Sequence, residues 1–144
     1  MRLWDAANMS VLTGSPDRIS IASGGAHKFS LDAGTVNARR LYWVFGSLTG
    51  TSPGVTLASA VGSVNIPLNP DIWTDLTISL ANTALLTKTK GLLDASGKAS
   101  ASFNVPKITN SSAIGVKFYH ANLIYDDRNN FYTTSNPVTL TLVK

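Results

Sequence analysis

Apolar and polar residues alternate along much of this chain, and this pattern predicts β-strands. In "KASASFNV" (98–105) the apolar side chains fall on one face and Lys, Ser and Asn on the other. The runs "RISIA" (18–22) and "HKFSLD" (27–32) repeat the alternation across a Gly-rich turn, which predicts a hairpin. "GLLDASGKASASFNVP" (91–106) predicts a second hairpin around "DASG".

Two further runs, "RRLYWVFG" (39–46) and "VKFYHANLIYD" (116–126), are apolar on both faces and predict central strands that are covered on both sides. "FYTT" and "PVTLTLVK" follow as strands near the C-terminus. Turn signals recur at intervals of about 8–12 residues. We therefore expect an all-β antiparallel sandwich of seven or eight strands, Ig-like or jelly-roll-like, in a single domain spanning 17–144. Residues 1–16 are then an N-terminal arm or an interdomain remnant.

One segment departs from this pattern and predicts a short helix near 70–81. Asn69 is suited to capping it, Pro70 to its first position and Asp71 to the positive end of its dipole. Apolar residues then recur with helical spacing at Ile72, Leu76 and Leu80.

Composition supports an exported β-protein. The chain of 144 residues has no Cys, Glu or Gln, and only 14% of its residues are charged. Thr suits strands, and Asn and Gly suit turns. Without cysteine there is no disulfide, thiolate nucleophile or cysteine zinc site. We expect an extracellular or cell-surface location.

The charge distribution argues against a nucleic-acid partner. The net charge is +4, but the twelve basic residues are scattered, and Arg39-Arg40 is the only adjacent pair. Nucleic-acid-binding proteins usually concentrate Lys and Arg on one face or in one run. No stretch approaches the ~18 apolar residues of a membrane span. The start, "MRLWDAANMS", has no apolar run typical of a signal peptide, so we expect a fragment of a longer protein.

Few residues point to chemistry. "DASG" is explained by a turn, with Asp94 accepting from the backbone two residues on and Gly97 taking a positive φ. His120 and Asn122 share a strand face, which favours a small hydrogen-bonded network over catalysis. Without Glu, the hydrolase metal motifs cannot be built. We therefore expect no enzyme and no required cofactor.

One turn offers oxygen ligands for Ca²⁺. "DDRNN" (126–130) places Asp126, Asp127 and Asn129 close together, although it lacks the spacing and the terminal Glu of an EF-hand loop. Calcium at these three residues is an open alternative.

The aromatic residues suggest a second kind of site. Trp43 lies in a central strand and is expected in the core. Trp73 and Tyr132 lie near loops and are the candidate contacts for stacking on a sugar or peptide.

Several strings resemble a known module when taken together and in order. They are "SIASGGAHKFSLDAG", "YWVFGSLTGTSPG", "IPLNPDIWTDLT", "GLLDASGKASASFNVP" and "TTSNPVTLTLVK". They are similar to a C-terminal module of large exported bacterial proteins of the planctomycete and myxobacterial type. The resemblance covers about residues 17–143, with "LNPD", "LDASGKA" and "SNPVTL" the most specific. It implies a non-catalytic β-sandwich appendage on a multidomain parent, and it carries no catalytic residues.

Three functional hypotheses follow. The first is a non-catalytic accessory module that acts as a spacer or in adhesion or targeting, with other domains of its parent as partners. The second is a lectin-like module that binds polysaccharide. The third is a self-assembling filament or shell subunit, in which the arm of residues 1–16 adds as an edge strand to a neighbouring copy.

Overall fold

The computed structural model describes residues 10–144, and this range contains twelve β-strands and one short α-helix. Two sheets face each other across a hydrophobic core, and a two-stranded hairpin packs against one of them. The predicted all-β sandwich with one short helix is confirmed. The strands are more numerous than the seven or eight expected, because further short strands form at Val11–Ser15, Val55–Ser59 and Leu86–Thr87, outside the runs that the sequence analysis identified.

Sheet 1 has four antiparallel strands in the spatial order β1-β3-β9-β7. Their bounds are β1 (Val11–Ser15), β3 (Gly25–Asp32), β9 (Lys98–Val105) and β7 (Leu86–Thr87). The long β3 and β9 strands form its centre. Their alternating sequences place one apolar face against the core and one polar face outward, as predicted.

Sheet 2 has six strands, in the order β2-β12-β10-β4-β8, with β11 pairing with β10 as well. Their bounds are β2 (Arg18–Ser20), β12 (Val138–Val143), β10 (Lys117–Tyr125), β4 (Leu41–Ser47), β8 (Lys90–Leu92) and β11 (Phe131–Thr134). All neighbours are antiparallel except β2 and β12, which are parallel. The central positions of β4 and β10 confirm the interpretation of their two-sided apolar sequences.

The strand order is of the immunoglobulin type. An immunoglobulin sandwich places strands A, B, E and D in one sheet against G, F and C in the other. In chain order β1, β3, β4, β7, β9, β10 and β12 occupy these seven positions. The first strand is divided, since β1 lies in sheet 1 and β2 in sheet 2. The Ig-like alternative therefore describes the topology.

Both predicted hairpins are wrong in their pairing. β2 and β3 belong to different sheets, and so do β8 and β9. The "DASG" turn itself is confirmed: Asp94 accepts from the backbone N–H groups of Ser96 and Lys98 at 2.8 and 3.0 Å, and Gly97 has φ 77°. Each tight turn carries the chain across the edge of the sandwich, because the strand that follows finds its partners in the opposite sheet.

A hairpin of β5 (Val55–Ser59) and β6 (Gly62–Ile66) covers the outer face of sheet 2. It contributes Leu57 and Ile66 to a second apolar cluster, which includes Leu123 and Tyr125 of β10. This cluster explains why β10 is apolar on both faces. The chain therefore has three layers, with an apolar interior on either side of sheet 2.

The α-helix, α1 (Ile72–Ser79), lies along the edge of β4 beyond the point where β8 ends. Asp71 caps it by accepting from the N–H groups of Trp73 and Thr74, and not Asn69 as the sequence suggested. Thr74 Oγ1 donates to the Gly46 carbonyl at 2.6 Å, and the Gly46 N–H donates to Thr77 Oγ1 at 3.1 Å. The threonines thus satisfy backbone groups of the strand edge that another strand would otherwise pair.

The predicted boundary between an arm or interdomain remnant of residues 1–16 and a domain of 17–144 lies too late in the chain, because β1 pairs with β3 in sheet 1. Leu12 is 1% exposed in the core, so part of the expected arm belongs to the sandwich. The Asn136 amide accepts from the Leu12 N–H at 3.0 Å and donates to the Leu12 carbonyl at 2.8 Å. Residues 1–9 of the predicted arm lie outside the described residues.

We expect Leu12→Ala to lower the free energy of unfolding by about 2–5 kcal/mol, because it leaves a cavity in a packed core. Val11→Ala, at the neighbouring and 53% exposed position, is the matched control and should change it by no more than about 0.5 kcal/mol. Urea unfolding of both variants measures the difference. Equal, small effects would show that β1 is an arm and not part of the core.

Candidate functional site

The two histidines lie between the sheets, on β3 and β10. These strands correspond to B and F, which an inter-sheet disulfide joins in antibody domains. Both imidazoles are fully buried, and their ring centroids are 6.3 Å apart. This chain thus has two titratable side chains in the part of the core where antibody domains have a disulfide.

Trp73 reaches this region from α1. Its indole Nε1–H donates to His120 Nε2 at 3.0 Å, within a cluster of aromatic rings that includes Phe103 and Phe118. A side chain on Gly46, the residue opposite His120 in β4, would collide with the indole. A glycine at this position of β4 therefore makes room for the tryptophan.

Hydrogen bonding fixes the proton positions of the neutral histidines. Because His120 Nε2 accepts from the indole, its proton is on Nδ1. His27 Nδ1 donates to the Pro16 carbonyl at 2.6 Å, so its Nε2 carries no proton. His120 Nδ1 and His27 Nε2 have no hydrogen-bond partner among residues 10–144. Burial lowers the pKa of His27, and lowers that of His120 to about 3.

The predicted hydrogen-bonded network of His120 with Asn122 is corrected, because the two side chains belong to separate networks. Asn122 is fully buried and exchanges hydrogen bonds with the Ser10 hydroxyl, at 3.1 Å from its Nδ2 and 3.3 Å to its Oδ1. Its backbone N–H donates to Ser135 Oγ at 2.8 Å. This network ties the beginning of the described chain to the segment between β11 and β12.

The prediction that Trp73 contacts a ligand is wrong. Its side chain is 7% exposed and belongs to the core, so it offers no ring face to a ligand in solution. Trp43, expected in the core, is instead half-buried on the outer side of sheet 2. Phe45 stacks on its ring with 5.2 Å between the centroids, and the Lys90 ammonium lies over the ring at 4.0 Å from the centroid.

Tyr132 is half-buried beside the turn that holds the predicted calcium residues and packs against the edge of the main core. The Arg40 guanidinium covers one face of its ring at 3.5 Å from the centroid, and its hydroxyl donates to Asp126 Oδ2 at 2.7 Å. This hydrogen bond raises the pKa of Tyr132. A cavity of about 150 Å³ adjoins Tyr132. Its role in ligand binding stays a prediction.

Asp126 organises its turn by accepting hydrogen bonds. Besides Tyr132, its carboxylate accepts from the backbone N–H groups of Arg128 and Asn130 and from the Asn130 amide. These bonds, with that from Tyr132 the strongest, lower the pKa of Asp126. No hydrogen bond joins the side chain of Asp127 or Asn129 to this carboxylate. Residues 10–144 contain no cluster of three or more His, Asp or Glu suited to a metal, and the calcium alternative stays a prediction.

Asp71 joins the loop after β4 to the helix. Its Oδ2 accepts from the N–H groups of Leu48 and Thr49 at 2.7 and 2.9 Å and from the hydroxyls of Ser47 and Thr49. Burial alone would raise the pKa of Asp71, but these hydrogen bonds outweigh it and lower the pKa to about 2. Asp71, Asp94 and Asp126 are therefore all acceptors for local backbone.

An apolar groove lies between β5 and α1 on the outer side of sheet 2. Its cavity of about 290 Å³ is lined mainly by Phe45, Leu57, Ile66 and Ile78, with Asp75 the one charged residue in its lining. Phe45 and Leu57 also line a neighbouring cavity of about 210 Å³ that reaches Trp43. Sequence reasoning missed this region, because it is created by the hairpin folding over the sheet.

The comparisons with known proteins add no family. The chain matches no protein-family model and no curated protein. Within the described residues, no helix has the length and apolar character needed to cross a bilayer.

We expect Trp73→Ala to lower the free energy of unfolding by about 3–5 kcal/mol, since it empties a core position and leaves His120 without its donor. Thermal and urea unfolding measure the loss. Trp43→Ala is the comparison on the outer side of the sheet and should cost less. A Trp73→Ala variant with unchanged stability would contradict a core position for the indole.

We also expect the stability to fall on acidification from pH 6.5 towards about 4. In the unfolded chain His120 binds a proton near its ordinary pKa of 6.5, whereas in the folded chain it stays neutral until about 3. The unfolded state therefore binds more protons over this interval, at up to about 1.4 kcal/mol per pH unit for each such histidine. The carboxylates with lowered pKa values add their own loss only near and below 3.8.

His120→Gln tests the source of this slope. The amide oxygen can accept from the Trp73 indole but does not titrate, so the variant should lose less stability than the parent over the same pH interval. Urea unfolding at a series of pH values gives the slopes. Identical slopes in the two proteins would show that His120 does not contribute.

Proposed function

We propose that this protein is a non-catalytic β-sandwich module of an extracellular or cell-surface protein, acting in adhesion or targeting. The observation that supports the proposal is that the acidic and histidine side chains form hydrogen bonds or are buried within the fold. The side chains best suited to acid–base chemistry are engaged in holding the fold: Asp71, Asp94 and Asp126 organise turns and a cap, and the two histidines are enclosed between the sheets.

Composition and sequence resemblance support the same proposal. A hydroxyl-rich chain with few charges is typical of exported β-proteins. The resemblance to C-terminal modules of exported bacterial proteins implies an appendage that serves a larger parent. An immunoglobulin-type sandwich suits this role, because function resides in the surfaces that such a fold presents.

The self-assembly hypothesis stays a second proposal with a stricter requirement. Strand exchange through β1 would have to break five register pairs with β3 and the two hydrogen bonds between Leu12 and Asn136. It would then have to restore the same contacts in a neighbouring copy. The accessory module requires no such rearrangement.

A retention assay tests the proposed function. We expect the full chain, fused to a fluorescent protein, to be retained on bacterial cell walls or insoluble polysaccharides more strongly than the fluorescent protein alone. Sedimentation followed by fluorescence of pellet and supernatant measures the retention. A fusion that is folded by circular dichroism but is found in the supernatant with every surface would contradict adhesion and targeting.

A further inference from the structure

The outer face of sheet 1 is open to solvent and mostly polar. Three rows of residues lie side by side across its strands and are polar at every position except the edge residue Val11. They are Ser15–Lys28–Ser102–Thr87, Thr13–Ser30–Ser100, and Val11–Asp32–Lys98, and a fourth row, Ala26–Asn104, lies beyond the first of them. We call this surface the lysine–hydroxyl face. The outer side of sheet 2 is covered by the β5–β6 hairpin over β10 and β4, and its uncovered part is the shorter row Arg18–Thr141–Lys117.

The regular geometry of the strands makes the face a shallow lattice of polar groups. Neighbouring strands lie about 4.8 Å apart, and residues two apart along a strand lie about 6.8 Å apart. Ser30 and Ser100 are directly opposite each other and both are exposed. Regularly spaced hydroxyls on a shallow surface can form hydrogen bonds with more hydroxyls of a flat, extended ligand than of a compact one.

A basin in this face carries positive charge without a carboxylate. Its cavity of about 250 Å³ is lined by Lys28, Lys88, Thr87, Ser100 and Ser102, together with Phe29 and Ala101. Asp32, the one acidic residue of the three rows, lies in the row furthest from Lys28, opposite Lys98. The two basin lysines are exposed and thus present their charge to a ligand.

Part of the basin is held in position by side-chain hydrogen bonds. Asn104, which follows Ser102 on the same face, donates from Nδ2 to Thr87 Oγ1 at 2.9 Å and accepts at Oδ1 from the Ser102 hydroxyl at 3.1 Å. The Lys88 backbone carbonyl accepts from the Tyr42 hydroxyl at 2.7 Å, which anchors the turn after β7. One wall of the basin is therefore preorganised, which reduces the entropy lost on binding.

We propose that the lysine–hydroxyl face binds an anionic polysaccharide, with Lys28 and Lys88 contacting its carboxylate or sulfate groups and the serine and threonine rows contacting its hydroxyls. The inference rests on the proposed adhesion or targeting function and names its ligand class. The three rows contain no aromatic side chain on which a nucleic-acid base could stack, which favours a polysaccharide over single-stranded nucleic acid.

Two double variants with the same net charge test the proposal. Lys28→Ser with Lys88→Ser removes the basin charges, and Lys107→Ser with Lys117→Ser removes two exposed lysines outside the lysine–hydroxyl face. Each pair lowers the formal net charge from +4 to +2, since two positive charges are lost. All four positions are exposed, so the unfolding temperatures should stay close to that of the parent.

Affinity is measured by fluorescence anisotropy with labelled polygalacturonate and dextran sulfate, with neutral dextran and a DNA duplex as comparison ligands. We expect the parent to bind at least one anionic polymer and not neutral dextran. The basin variant should lose about tenfold in affinity and the control variant markedly less. Added salt should weaken binding of the parent more than that of the basin variant.

Three results would overturn the proposal: no binding to either anionic polymer, equal losses in the two double variants, or DNA binding as tight as polysaccharide binding with the same dependence on the basin lysines. Retention of the fluorescent fusion on other surfaces, with no binding to anionic polymers, would reject this ligand class but leave the proposed function standing. Absence of retention on every surface together with absence of polymer binding would reject both.

Discussion

The hydrogen bond from the Trp73 indole to His120 connects the helix, the core and both sheets. A buried indole N–H needs an acceptor, and a neutral imidazole provides one without placing an ionised group in an apolar interior. Around this bond, Phe103 of sheet 1 packs against the indole, and Gly46 of β4 leaves the space that the ring fills. The same helix supplies Thr74 and Thr77, whose hydroxyls form hydrogen bonds with the backbone of Gly46. These bonds and the indole together hold the helix at the edge of β4.

Hydrogen bonds from the backbone explain how a chain with few charges maintains many loops. Asp71, Asp94 and Asp126 each accept from at least two backbone N–H groups, and each does so at a point where the chain changes direction. A carboxylate that satisfies several donors at once is an efficient way to close an irregular loop. The same arrangement takes these groups out of the set available for acid–base chemistry.

The asymmetry of the two sheets directs attention to sheet 1 as the interacting surface. The outer side of sheet 2 is covered over β4 and β10 by a second apolar cluster under the β5–β6 hairpin, whereas the outer side of sheet 1 is open along all four strands and polar except at Val11 and Ala26. Sheet 1 therefore presents the broader polar surface of the two. The lysines of that surface, Lys28 and Lys88, are part of the modest excess of positive charge that the composition already indicated.

The amino-acid sequence by itself determined the long strands of the two sheets and which of their faces are apolar, but not the short strands β1, β5 and β7. The alternation in β3, β9 and β12, the two-sided apolar runs of β4 and β10, the "DASG" turn and the existence of one helix all follow from local periodicity and turn chemistry. The tertiary structure alone decided how these strands pair. Alternation states that one face is inward but not to which sheet a strand belongs, so β2 with β3 and β8 with β9 resemble hairpins although their partners lie in opposite sheets. The predicted burial of Trp43 and exposure of Trp73 were reversed for the same reason. The burial of a side chain depends on the elements that pack over it, and these elements are distant in the chain.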